Sequence, residues 1–154
     1  MQAKYINPFL KASVNLFKNY LGVELTNDPP FINKDAQNLN EVSAVIGLTG
    51  DTIGAVVLSF TRESAIQVVS KLASQKYVAL SSDVIDGVGE LVNILAGNAK
   101  KDLLDYKIDI SLPGVITGNQ YKINWPRGVP VITIPFKSDI GNFSVNVSLK
   151  DIPQ

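Results

Sequence analysis

A chain of 154 residues that is 45% hydrophobic and 18% charged has the composition of a soluble globular protein with a sizeable core, and residues 1–154 are read as one domain. Its 14 Lys and Arg balance its 14 Asp and Glu without a basic stripe, so nucleic acid is not an expected partner. With no Cys and no His, the chain cannot supply a thiol nucleophile, a thiolate zinc site, an iron–sulfur cluster, a Ser-His-Asp triad or an imidazole base. Any catalysis must rest on carboxylates, amides, hydroxyls or Lys, or on a metal brought by a partner. No phosphate-binding glycine loop is present. No apolar run reaches the ~18–20 residues that span a bilayer, and the opening MQAKYINPF lacks the apolar stretch of a secretory signal. The expected location is cytoplasmic, with no membrane partner.

In chain order, Asn7-Pro8 is expected to open the first helix as N-cap and first helical residue, and Gly22 to close it. Phe9, Leu10, Val14, Leu16, Phe17, Tyr20 and Leu21 recur between them at helical spacing. Residues 23–40, with Asp28-Pro29-Pro30 and many Asn, predict a loop or short extended segment. Residues 42–48 and 53–60 are β-rich and joined by Thr49-Gly50-Asp51-Thr52, a hairpin signal. Both runs are apolar on both faces, which places them centrally in a sheet. Thr61 caps a second helix that buries Ala65, Ile66, Val68, Val69 and Leu72.

Residues 82–104, SDVIDGVGELVNILAGNAKKDLL, predict one long helix capped by Ser81 or Ser82, with Asp83 in its first turn. At about 100° per residue, Val84, Val88, Leu91, Val92, Leu95, Ala96, Ala99 and Leu103 share one face. Asp86, Glu90, Asn93, Gly97, Lys100 and Lys101 gather on the other, and Glu90 and Asn93 are neighbours at i, i+3. Gly87, Gly89 and Gly97 each cost about 1 kcal/mol relative to Ala in a helix interior. Two readings explain them: room for another backbone to approach Glu90 and Asn93, or close internal helix packing.

After the helix, residues 106–112 alternate, with Tyr106, Ile108, Ile110 and Leu112 on the buried side and Lys107, Asp109 and Ser111 outside. Residues 115–125 read as a strand or an excursion. Residues 129–136 form a strand that Pro130 and Pro135 put at an edge or interrupt. A turn at 138–142 leads to a strictly alternating strand at 143–149, with Phe143, Val145, Val147 and Leu149 inside and Ser144, Asn146 and Ser148 outside. The order predicts an α+β fold, helices layered on a mostly antiparallel sheet. The two halves are loosely alike. Aligning the first helix with the long one sets Asn15 against Asn93 and Ala12 where the acid would be.

Asp86, Glu90 and Asn93, spaced D-x-x-x-E-x-x-N and followed by Ala96-Gly97-Asn98-Ala99-Lys100, resemble the motif of the CheC/CheX/FliY group of chemotaxis phosphatases. The likeness is strongest over residues 82–118, including Ser111-Leu112-Pro113, and holds in outline over the whole chain. A single E-x-x-N copy points to the CheX branch. The resemblance implies a CheC/CheX-like α+β fold and hydrolysis of the aspartyl phosphate of a CheY-like response-regulator receiver. It implies that Asn93 orients the attacking water and that Glu90 docks a receiver lysine. It also implies a homodimer that extends its sheet.

That chemistry is sound on its own terms. An aspartyl phosphate is already activated, and what hydrolysis lacks is a water held in line with phosphorus. A neutral amide can hold one, as Gln does in GTPases. A carboxylate a helical turn away accepts a charge-assisted hydrogen bond from a lysine. No cofactor is then needed in this chain, and a divalent cation is expected on the receiver. Asp86 and Gly97 are candidate binding residues, although an acid near a helix N-terminus is also favoured by the dipole. Lys100 and Lys101 either contact an acidic receiver surface or complement the negative helix end. Trp125 anchors a partner or covers a core edge. Asp105 and Asp109, about 13 Å apart in a strand, are not a metal site. One alternative function is a non-catalytic module that docks on a receiver or flagellar-switch protein. Another, a carboxylate hydrolase using Glu90 with Asp86, would need a deep pocket.

Overall fold

A computed structural model describes residues 3–34, 39–119 and 121–151. The elements are α1 (Ala3–Leu16), which runs on as a π-turn over Phe17–Leu21, then β1 (Thr26–Asn27), β2 (Phe31–Ile32), β3 (Val42–Gly50), β4 (Thr52–Phe60), α2 (Arg62–Ala73), α3 (Ser82–Lys101), β5 (Ile108–Ile110), β6 (Gly114–Thr117), β7 (Ile132–Lys137) and β8 (Phe143–Asp151). The sheet order is β1-β7-β8-β4-β3-β5, with β2 also on β7 and β6 also on β3. The pairings are antiparallel, and the three helices cover one face. This is the α+β architecture that the element order predicts.

The hairpin β3–β4 is central, as its two-sided apolar pattern requires. Val42, Ala44, Ile46 and Leu48 alternate toward the helices, as do Val56, Leu58 and Phe60, and Phe143, Val145, Val147 and Leu149. Phe143 anchors this core. It stacks on Phe17 at 4.7 Å and on Phe136 at 5.2 Å, and packs tilted on Phe60 at 5.2 Å. The opposite face buries polar groups. Ser43 Oγ donates to Ser59 Oγ at 3.0 Å, and Thr133 Oγ1 donates to Asn146 Oδ1 at 2.7 Å. The chain crosses this face on its way from β6 at one edge to β7 near the other. Tyr121 pins the crossing by hydrogen bonds to Ser43 Oγ at 2.6 Å and to the Asn40 carbonyl. Residues 115–119 and 121–125 are therefore a short strand followed by an excursion. Trp125 lies half-buried within it.

Two expectations need correction, and one alternative is resolved. The first helix does not begin at Pro8: it has begun by Ala3, and Pro8 lies inside it. A proline here removes one hydrogen bond near the helix start, and the turn survives because Tyr5, Ile6 and Phe9 are buried. Residues 23–34 bear out the short extended alternative, because β1 and β2 pair with β7 on either side of Pro29-Pro30; residues 35–38 lie outside the described residues. Leu112 does not join Ile108 on the buried side. The strand stops at Ile110, and Leu112 is 91% exposed.

The long helix forms as expected. Ser81 Oγ accepts from Val84 N at 3.3 Å, Asp83 lies in the first turn, and Lys100 and Lys101 lie in the last. Its apolar face packs on β3 and β4, with α1 and α2 against it. Burying Val84, Val88, Leu91, Val92 and Leu95 is worth roughly 1.5–3 kcal/mol each, more than enough to offset three glycines at about 1 kcal/mol apiece. Gly87 is a packing residue: a Cβ there would stand 2.5 Å from Val69 Cγ1 on α2. We expect Gly87→Ala to destabilise the fold by about 1 kcal/mol, overpacking outweighing the gain in helix propensity. In urea melts, adding Val69→Ala should reveal a favourable coupling on the order of 1 kcal/mol. Additive effects would show that the contact is not tight.

Candidate active site

The polar stripe of α3 faces away from the core. Asp86, Glu90, Lys100 and Lys101 are exposed, and Asn93 and Gly97 are half-buried among them. Because α3 is continuous and capped, Glu90 and Asn93 stand one turn apart on a rigid support. Neither side chain has a hydrogen-bond or ion-pair partner among the described residues. The carboxylate and the amide are thus both available to an incoming group. Gly97 differs from its fellow glycines. A Cβ at Gly89 would meet Val115 at 3.4 Å, whereas a Cβ at Gly97 would meet nothing within 4 Å. Internal packing accounts for Gly87, fits Gly89, and gives no reason for Gly97.

Two clefts flank the stripe. One of about 310 Å³ is formed by Asp86, Gly89 and Glu90 with Pro113 and Val115. The other, about 560 Å³, is bordered by Gly97, Lys100, Leu104, Lys107 and Ile110. Asp86 and Glu90 do share a cleft, but it leaves both exposed, which is not the deep enclosure a carboxylate hydrolase needs. The second wall, from Ile110 through Val115, escapes a reading centred on the helix. Pro113, directly after the alternating stretch 106–112, was its available signal, because proline beside a strand marks an edge or a bulge. On the first helix, Ala12 is buried and Asn15 exposed, so the loosely similar first half carries no acid–amide pair. Among the described residues no three carboxylates converge closely enough to hold a metal.

The family model for chemotaxis phosphatase CheX matches residues 42–137, a span holding both walls of the site. The chain belongs to the CheX family. It is 29% identical over 126 residues to the CheY-P phosphatase CheX of Thermotoga maritima, covering 80% of this chain and 81% of that one. The crystal structure of a chemotaxis protein CheX from Desulfovibrio desulfuricans superposes with a TM-score of 0.86 at 31% identity, covering 96% of this chain and 99% of that one. CheX in the CheX–CheY–BeF3–Mg2+ complex from Borrelia burgdorferi gives 0.81 at 28% identity, covering 96% and 98%. The CheX fold thus extends over nearly the whole chain, including helix α1 outside the matched family span.

In this CheX-family chain, open space at Gly97 has a measurable corollary. Gly97→Ala should raise stability by about 1 kcal/mol through helix propensity alone. A thermal or urea melt reads it, and a loss of stability would mean that the position is packed in solution.

Proposed function

We propose that this chain hydrolyses the aspartyl phosphate of a phosphorylated CheY-like receiver. The observation that carries the reading is the unpartnered Glu90–Asn93 pair on the open face of a rigid helix. In this reading Asn93 holds a water in line with the phosphorus. The water oxygen forms the new P–O bond, the bond from phosphorus to the aspartyl oxygen breaks, and that oxygen leaves with the electron pair as a carboxylate. The water proton goes to the phosphate or to solvent. Glu90 accepts a charge-assisted hydrogen bond from a receiver lysine and fixes the register. Asp86 helps orient the partner, and Gly97 leaves room for its backbone. A divalent cation on the receiver would neutralise the phosphoryl oxygens.

The reading makes a separable prediction for the two residues. Asn93→Ala should lower kcat for phosphate release by about a hundredfold or more, with KM little changed. The melt should move by no more than about 0.5 kcal/mol, because no intramolecular partner is lost. Glu90→Ala should raise KM as well as lower kcat. Unchanged kcat in Asn93→Ala would refute the assigned role. Binding of a phosphorylated receiver without any wild-type turnover would favour a non-catalytic docking module.

The reading also includes a homodimer paired through a sheet edge. The edge formed by β1 and β2 suits it, since β2 exposes Phe31 (49%) and Ile32 (60%) and pairs, among the described residues, with β7 alone. Sedimentation at tens of micromolar, the order expected for a weak dimer, should give twice the monomer mass of 16.7 kDa, and Ile32→Asp should give the monomer. A wild-type monomer would remove this part of the reading.

A further inference from the structure

β5 and β6 are two halves of one strand that runs antiparallel along β3. Ile110 pairs with Leu48 and Gly114 with Val45, so residues 111–113 stand opposite only Ile46 and Gly47. The extra residue makes a bulge. Ser111 builds it. Ser111 N donates to the Gly47 carbonyl at 3.0 Å, and Gly47 N donates to Ser111 Oγ at 2.9 Å, where a ladder would use a carbonyl. The same hydroxyl donates to the Leu112 carbonyl at 3.0 Å. Pro113 restricts Leu112 to extended backbone. The outcome is a fixed bulge that carries a leucine 91% exposed.

A bulge and a proline are ordinary devices for blunting a sheet edge. Edge protection explains both, but it would be better served by a polar side chain at the summit, and the residue there is Leu. Its position supplies a reason. Ile110 borders the cleft that Gly97 borders, and Pro113 borders the cleft that Glu90 borders. The bulge between them therefore runs beside the stretch of α3 that carries Asn93. A protein partner of standard size covers about 800 Å² on each side, a disc of roughly 16 Å radius. Pro113, next to Leu112, lies against Gly89, one helical turn before Asn93, so a patch of that size centred on Asn93 reaches the bulge.

We propose that Leu112 is an apolar docking anchor for the phosphorylated receiver, seated in a hollow on the receiver surface bordering the phosphoaspartate. The proposal rests on the receiver phosphatase reading and adds to it the residue that supplies apolar binding energy. Glu90 and Asn93 contribute polar contacts that must first shed water, and an exposed leucine contributes burial without that cost. Because the bulge is already hydrogen-bonded, no loop has to be ordered on docking.

The test is steady-state phosphate release by the full chain, with a phosphorylated CheY-like receiver from the same genome as substrate. Leu112→Asp should raise KM by about tenfold or more, the loss expected for one buried leucine, with kcat within about twofold. Leu112→Met should restore KM. Both variants should melt with the wild type, since an exposed side chain is changed, and sediment as it does. Active wild type with an unchanged KM in Leu112→Asp would overturn the anchor and leave the phosphatase reading standing. A changed sedimentation coefficient in Leu112→Asp would also overturn it, by assigning the leucine to contact between copies. Absence of wild-type turnover would defeat the phosphatase reading, and the anchor with it.

Discussion

Seven side chains on one face of α3, Val84, Val88, Leu91, Val92, Leu95, Ala96 and Ala99, are at most 1% exposed, and their burial sets the rotation of the helix. A slip of one residue would turn the helix by about 100° and drive Asp86 or Glu90 toward β3. Unpaired charge in that environment costs several kcal/mol, comparable with the net stability of a whole domain. The rotation is therefore not adjustable. Whatever the outer stripe does, it does from a platform whose orientation the core enforces. The contact of Gly87 with Val69 sets the approach of α2 to that platform on the same terms.

A site built this way differs from a catalytic pocket. It lies on a convex helix beside two shallow clefts, and its acid and amide have no partner among the described residues. In the proposed reaction the chain supplies half of a reaction centre. Selectivity then comes from the shape and charge of the surround more than from enclosure of a substrate. The bulge at 111–113, the lysines at the end of α3 and the open backbone at Gly97 make up that surround.

Elements with a strong period were legible in the sequence. The 3.6-residue recurrence of α3 reports directly which side chains are buried, and the structure agrees residue by residue; the two-residue alternation at 143–149 places Phe143, Val145, Val147 and Leu149 correctly, but Asn146 and Ser148, expected outside, are 1% and 0% exposed on the opposite, polar face of the sheet. The hairpin β3–β4 was legible because two apolar runs flank a turn. Where local rules competed with tertiary burial, the reading missed. Pro8 looks like a helix start, yet the buried Tyr5, Ile6 and Phe9 hold the chain helical across it. Leu112 fits the alternation of its strand, but the Ser111 hydroxyl replaces a ladder partner and breaks the period. For the site, Glu90 and Asn93 were visible as a spaced pair. The wall opposite them was not, because no helical pattern reports which strand will lie beside it.

The sheet's connectivity governs how the chain must assemble. β4 pairs with β8 from Phe60↔Phe143 to Thr52↔Asp151, joining positions more than eighty residues apart, while its other edge is filled at once by the neighbouring β3. Contacts so distant in sequence close late and slow folding. During synthesis the nine-residue, largely apolar β4 therefore waits with one edge bare until the last strand emerges. A chain ending before β8 would not be a smaller folded domain. It would carry a central strand with no neighbour, and such a strand templates aggregation.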